Sequence, residues 1–261
     1  MTAQLPCPPL FDGHTAGAYT LPDELTKLRD TYTAVQAQPY PEPPENPWEV
    51  IQRVAVETVD AVHHGKPLPD PAQIEAARAA ERVHQDVLDM LQQCLDIAAR
   101  RVSSALHTMA EDIITEHLRP AHDQTVEAFR DALAVLRAHG EIRPRHLLTA
   151  PPKVRKAAEQ LDVLAERYDR IHAARSALWS KGVRCTEDPQ NKYGAVRNYH
   201  ALHPVRLAMA RAPWHGLSTR DFLIWMHDHG GQLWLPTPDE QAQAVADETH
   251  IGQSFPRRIT A

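Results

Sequence analysis

The sequence predicts a mostly α-helical protein built around a long antiparallel helical hairpin with coiled-coil-like packing. Between Pro71 and Pro120 the chain runs for 48 residues without glycine or proline. A second run without either residue covers 153–181, and Gly140 with a few prolines separates the two runs. Because glycine and proline disfavour helix interiors, both runs predict long helices. Apolar residues at seven-residue repeats in both runs predict that the helices pack against each other.

The first long helix has favourable start signals and one internal breaker. Asp70 is placed to be its N-cap, Pro71 its first residue and Glu75 an acidic residue of the opening turns. Pro120 predicts a kink or a break, because proline cannot donate a backbone hydrogen bond inside a helix. A fresh helical segment is then expected from near Asp123 to Gly140.

Two adjacent apolar stripes follow this first helix. Their width exceeds that of a two-stranded seam, so the sequence predicts contact with more than one neighbouring helix. Cys94 is predicted to be buried in this contact. The first stripe comprises Leu88, Leu91, Leu95, Ala98, Val102, Ala105 and Met109, and the second comprises Val83, Val87, Met90, Cys94 and Ile97.

The return helix starts after Pro152 and carries the most regular heptad of the chain. Arg175 is the single charged interruption of its stripe. At about 1.5 Å per residue the first helix spans roughly 70 Å and the return helix roughly 45 Å. An N-terminal helix, the C-terminal region or another subunit must therefore cover the remainder, and self-association is predicted. The stripe comprises Val154, Ala157, Leu161, Leu164, Tyr168, Ile171 and Leu178.

Three domains are predicted: a proline-rich acidic segment over 1–69, the hairpin over 70–182, and a small module over 183–261. Eleven of the 22 prolines fall in the first segment, where they predict an extended linker over 39–47. Short helices are expected on both sides of this linker, from Pro22 to about Gln36 and from Pro47 to about His63. Asn46 would cap the second of these helices.

The C-terminal region differs in composition from the hairpin. Eight of the 15 aromatic residues lie at or beyond Trp179, which predicts a small aromatic-cored α module. Its expected helices lie near 204–211, from Ser218 to about His229 with a stop at the following two glycines, and over 238–247.

Composition narrows the function classes. A net charge of −6 argues against a general nucleic-acid binder, and no apolar stretch reaches the length needed to span a bilayer. The N-terminal residues lack the pattern of a secretory signal. Cys7, Cys94 and Cys185 are far apart, which fits neither a disulfide framework nor a zinc site. A cytoplasmic location is expected, or a virion-associated one for a phage-derived protein.

A cluster of basic residues at the predicted hairpin tip is the candidate partner-binding site. It could bind an acidic segment of another copy, an acidic protein face or nucleic acid. Alternatively, these residues balance an acidic rod. No aromatic residue lies among them, which disfavours stacking of single-stranded bases. The cluster comprises Arg143, Arg145, His146, Lys153, Arg155 and Lys156.

The sequence predicts no catalytic residue and no cofactor. Sixteen histidines suggest, as a weak alternative, a metal site formed by His200, His203, His215 and His227. Ser218 is better explained as a helix cap than as a nucleophile, and no glycine loop has the spacing that binds phosphate.

These patterns favour a non-enzymatic structural, scaffolding or assembly protein that acts through its hairpin and protein partners. One version is a component of a phage-like particle or other mobile element. The first alternative is binding of nucleic acid or an acidic partner through the basic tip. The second is a metal-dependent enzyme that uses the C-terminal histidines.

Overall fold

A computed structural model describes residues 4–140, 149–180, 195–203 and 212–253, and it confirms the mostly α-helical fold. Within those ranges there is no strand, and Val196 and Leu233 form an isolated antiparallel bridge. The helices are α1 Pro8–Thr15, α2 Asp23–Gln36, α3 Pro47–His64, α4 Ala72–Asp112, α5 Arg119–Ala138, α6 Pro152–Ser180, α7 Tyr199–Leu202, α8 Thr219–Asp228 and α9 Pro238–Gln253.

The first long helix does not break at Pro120. A single π-helical turn, Ile113–Leu118, joins α4 to α5 in one continuous helix of 67 residues. The backbone N–H of Arg119 donates to the carbonyl oxygen of Ile114, five residues earlier. This wider turn accommodates the proline, which has no N–H and whose ring would clash with a carbonyl in a regular helix. Of the predicted kink or break, the break is therefore wrong, and the irregularity found here is the π-helical turn.

The described chain divides into two compact units whose boundaries cross the predicted domains. The first unit contains residues up to Pro6 and Glu24–Ser103, and the second contains Cys7–Asp23 and the residues from Ser104 onward. The predicted boundaries at 69/70 and 182/183 came from composition and stay predictions.

In the first unit, α2 covers part of the first apolar stripe of α4. Tyr32 is buried against Leu95 and Ala98, and Leu5 and Val35 pack against the same cluster. An N-terminal helix thus covers part of the first long helix that the return helix was predicted to be too short to reach. Local signals of this unit are also as predicted: the Asn46 side chain accepts a hydrogen bond from the backbone N–H of Trp48 at 2.9 Å and caps α3.

In the second unit, α5 and α6 form the antiparallel hairpin. Phe129 and Leu133 of α5 pack with Leu161 and Ala165 of α6 in one buried cluster. Near the other end of α5, the Arg167 side chain donates to Gln124 at 3.3 Å. Every member of the predicted α6 stripe is buried except Leu164, which is partly buried.

Two further elements pack against α6. Helix α1 lies along it, and the Arg167 Nε donates to the carbonyl of Ala18, just after α1, at 2.9 Å. Pro8 occupies the first turn of α1, where proline is tolerated. Helix α8 starts at the predicted cap, since the Ser218 hydroxyl accepts from the Asp221 N–H. Leu223 of α8 joins the hairpin core.

Candidate functional sites

Helix α3 is apolar on two opposite faces. Val50, Val54 and Ala61 lie within about 40° of one another around the helix and are buried. The opposite face is exposed, and its large apolar residues are Trp48 at 63%, Val56 at 62%, Val59 at 68% and Val62 at 69%. Soluble monomers rarely leave a continuous apolar face in water, so this face is a candidate docking surface.

Helix α4 leaves four of the five residues of its second stripe exposed, and the fifth, Val87, is half-buried. Val83, Met90 and Ile97 are 61%, 53% and 45% exposed, and Cys94 is exposed as well. The prediction that Cys94 is buried is therefore wrong, and the second contact predicted from the width of the face is not made within the described chain. Because the stripe keeps alternating three- and four-residue steps, it has the pattern of a helix-pairing surface.

The basic tip is described only in part. Arg143, Arg145 and His146 lie outside the described residues. Lys153, Arg155 and Lys156 are exposed in the first turns of α6. Positive charge is unfavourable at a helix N-terminus, so these three residues do not stabilise their own helix.

The C-terminal histidines that were predicted as metal ligands lie in different environments. His203 is buried with its ring edge against Tyr199, while His215 and His227 are exposed. His200 belongs to α7, and its side chain falls outside the description. In the part of the chain that the structure describes, no three histidine, cysteine or carboxylate side chains form a group that could hold a metal ion.

Aromatic rings link the segments around these histidines. Trp214 lies 5.4 Å from Tyr199 and 4.9 Å from Trp225 between ring centroids, and His229 stacks on Trp225 at 3.9 Å. The two tryptophans are half-buried, whereas Leu223 and Met226 are fully buried.

A buried polar cluster lies where the start of α5 meets the second half of α6. The ring of His122 is 5.4 Å from the rings of both Tyr168 and His172, and Tyr168 and His172 are 4.2 Å apart. His122 has no exposed surface and Tyr168 is 4% exposed. The sequence offers one signal for this region, the charge of Arg175 in an apolar stripe.

Within the part of the chain that the structure describes, three buried polar atoms of the cluster have no protein partner: Nε2 of His122, the Tyr168 hydroxyl and Nε2 of His172. Nδ1 of His122 instead bonds the exposed carboxylate of Asp123 at 2.9 Å. Burial raises the pKa of Tyr168, with a smaller contribution from the charge of Asp169. Burial also holds the pKa of His172 well below its usual range, helped by the charges of His122 and Arg175.

These shifts keep Tyr168 and His172 neutral at pH 7, so both residues place uncharged polar groups inside a helix contact. A cation there would face the charge of Arg175, which acts on both residues. The unpaired donor and acceptor atoms of the cluster suit hydrogen bonds to water or to a small neutral group.

The low pKa of His172 predicts acid sensitivity. The unfolded chain takes up this proton near pH 6.5 while the folded protein does not, so stability is complete above that pH and falls as the pH drops below it. We expect the free energy of unfolding to fall progressively as the pH drops below 6.5, with a slope of at most about 1.4 kcal/mol per pH unit, the limit for one proton. His172→Phe should remove most of this slope in urea denaturation.

The exposed His107 on α4 provides the matched control, because its substitution by phenylalanine should leave the pH dependence of the parent protein unchanged. An equally steep loss of stability in His172→Phe would show that another group controls the acid response.

A cleft of about 890 Å³ lies between the start of α5 and the segment that leads into α9. Its two arginines are already engaged: Arg119 donates to the Leu235 carbonyl at 3.1 Å and pairs with Glu240, and Arg197 lies over the Trp234 ring at 5.6 Å. The cleft has the size of a ligand pocket, but these contacts indicate a polar seam that joins helices.

The chain matches no protein-family model, no curated protein and no solved structure. None of the helices in the described ranges is long and apolar enough to cross a membrane. The functional argument therefore depends on the surfaces and clusters above.

Proposed function

We propose that the protein is a non-enzymatic helical scaffold that assembles through apolar helix faces in its first unit. The observation that carries this proposal is the exposed face of α3, with Trp48, Val56, Val59 and Val62 each more than 60% exposed. The opposite face of the same helix is buried, so α3 already packs through that face. Its exposed face is available for a second contact.

The energetics support assembly through such a face. Burying a valine fully contributes about 1.5–3 kcal/mol relative to leaving it in water. Several such residues on one helix face therefore supply a substantial driving force for association, although ordering the partners offsets part of it. In one form of this role the protein would be a component of a phage-like particle or mobile element. The proposal also includes a cytoplasmic location.

The basic tip supports a second candidate function, docking of an acidic protein face or nucleic acid. Its support is the exposure of Lys153, Arg155 and Lys156 at a helix end where their charge is locally unfavourable. This observation is weaker than the uncovered α3 face, because three exposed cations also improve solubility.

The proposal predicts that the full chain is larger than a monomer in solution. Light scattering coupled to gel filtration should give a mass above 29.3 kDa that rises with concentration. Replacing Val56 and Val59 together by glutamate should lower the mass toward that of the monomer, since charges would then line the contact.

Val163→Glu is the matched control, because Val163 is 64% exposed on α6, in the second unit, and is not part of the proposed surface. It should leave the mass unchanged. A clean monomer of the parent protein at every concentration would rule out self-assembly through this face.

A further inference from the structure

The exposed stripe of α4 has a regular spacing and a charge pattern that together identify its partner. Val83, Val87, Met90, Cys94 and Ile97 follow one another at steps of four, three, four and three residues. In heptad terms they alternate between the two core positions of a helix pair. The neighbouring stripe, which includes Leu95 and Ala98, is covered by its own unit, so within the described ranges the other side of the exposed stripe is the one left to receive another helix.

The free side of the stripe carries a charge pattern that is complementary to itself. Asp86, Gln93 and Arg100 occupy equivalent positions in three successive heptads, and all three are exposed. Gln93 lies midway between the acidic and the basic residue. When two copies run antiparallel about Gln93, Asp86 of each faces Arg100 of the other, so the arrangement has twofold symmetry and two opposite-charge pairs.

The same register matches the apolar positions. Residue numbers of facing core positions then sum to 184, which places Val87 opposite Ile97 of the second copy and Met90 opposite Cys94 of the second copy. Val83 faces Arg101, whose aliphatic stem can cover it while the guanidinium stays in water.

Other arrangements lack this charge match. In a parallel pair, Asp86 would face Leu91 and Arg100 would face Ala105, so no opposite charges would meet. An antiparallel pair shifted by one heptad keeps apolar contacts, with Val83 opposite Cys94, but it places Asp86 opposite Gln93 and leaves Arg100 opposite Ala79.

We infer that the partner of this stripe is the same stripe of a second copy, paired antiparallel with Asp86 facing Arg100. The inference rests on the proposed assembly function and names its partner and register. The stripe covers only about two heptads, so the dimer should depend on concentration.

Charge exchange tests the pairing. Sedimentation velocity on the full chain should show that Asp86→Arg and Arg100→Asp each weaken dimerisation at least about tenfold, since each creates like-charge contacts. The double exchange should restore a dissociation constant within about threefold of the parent value. All three residues of this side are exposed, so circular dichroism should be unchanged. Failure of the double variant to recover would overturn the inference.

Crosslinking tests the register. Met90→Cys in the full chain should form, on mild oxidation, a disulfide between position 90 of one copy and Cys94 of the other, identified by mass spectrometry of the linked peptides. A link between two copies of Cys94 in the parent protein would show a parallel pair. A link from position 83 to Cys94 in Val83→Cys would show the shifted register. Either result contradicts the inference.

The two proposals fail in different ways. An assembly that persists in the charge variants, with no link from position 90 to Cys94, removes the α4 pairing and leaves assembly through α3. A parent protein that stays monomeric at all concentrations removes both.

Discussion

Replacing Arg175 with alanine should destabilise the second unit by about 3–5 kcal/mol. Arg175 is 2% exposed; its Nε donates to the Pro236 carbonyl at 2.7 Å and its Nη2 to the Gln241 amide oxygen at 2.6 Å. Alanine would leave both acceptors buried without these donors, at about 1–3 kcal/mol each, and would add a cavity. Urea denaturation followed by circular dichroism measures the loss.

Arg170 on the same helix is the control. It pairs with Glu166 four residues earlier, and both side chains are substantially exposed, at 41% and 64%. Such surface pairs contribute about 0–1 kcal/mol, so Arg170→Ala should have little effect. Hydrogen exchange adds a local readout: in Arg175→Ala the backbone amides of the segment from Thr237 to Gln241 should exchange faster. Equal effects of the two substitutions would contradict an anchoring role for Arg175.

Features that depend on neighbouring residues could be predicted from the sequence. The caps of α3 and α8 at Asn46 and Ser218 were predicted because a cap is satisfied within three residues. The buried stripe of α6 was also predicted, since helical periodicity alone determines which of its residues share a face.

Features that depend on residues distant in the chain could not be predicted from the sequence. The acceptors of Arg175 lie 61 and 66 residues further along the chain, so its charge looked like an interruption of the stripe. The contact of His122 with Tyr168 and His172 likewise requires the fold of the hairpin.

The two stripes of α4 show a related limit of prediction from sequence. Both have regular spacing, and the sequence does not say which one the protein covers. Tyr32 of α2 packs on the first stripe, and Cys94 on the second is exposed. Likewise, Pro120 carries a strong breaking preference, but the π-helical turn before it allows the helix to continue. The candidate assembly surface therefore emerges only from the structure.

Replacing Leu161 with alanine should destabilise the hairpin by about 3 kcal/mol, within the range of 2–5 kcal/mol for buried leucines. Leu161 has no exposed surface and packs with Phe129 and Leu133 across the α5–α6 contact. The loss combines the transfer energy of the removed carbons with the cavity they leave.

Val163, two residues further along α6, is 64% exposed and supplies the control. Val163→Ala should change the free energy of unfolding by no more than about 0.5 kcal/mol. Urea denaturation of both variants at pH 7.5 keeps His172 neutral in both the folded and the unfolded chain, so the difference reports packing alone. If the two substitutions cost the same, Leu161 does not lie in the core of a helical hairpin, and the stripe that predicted this contact has another explanation.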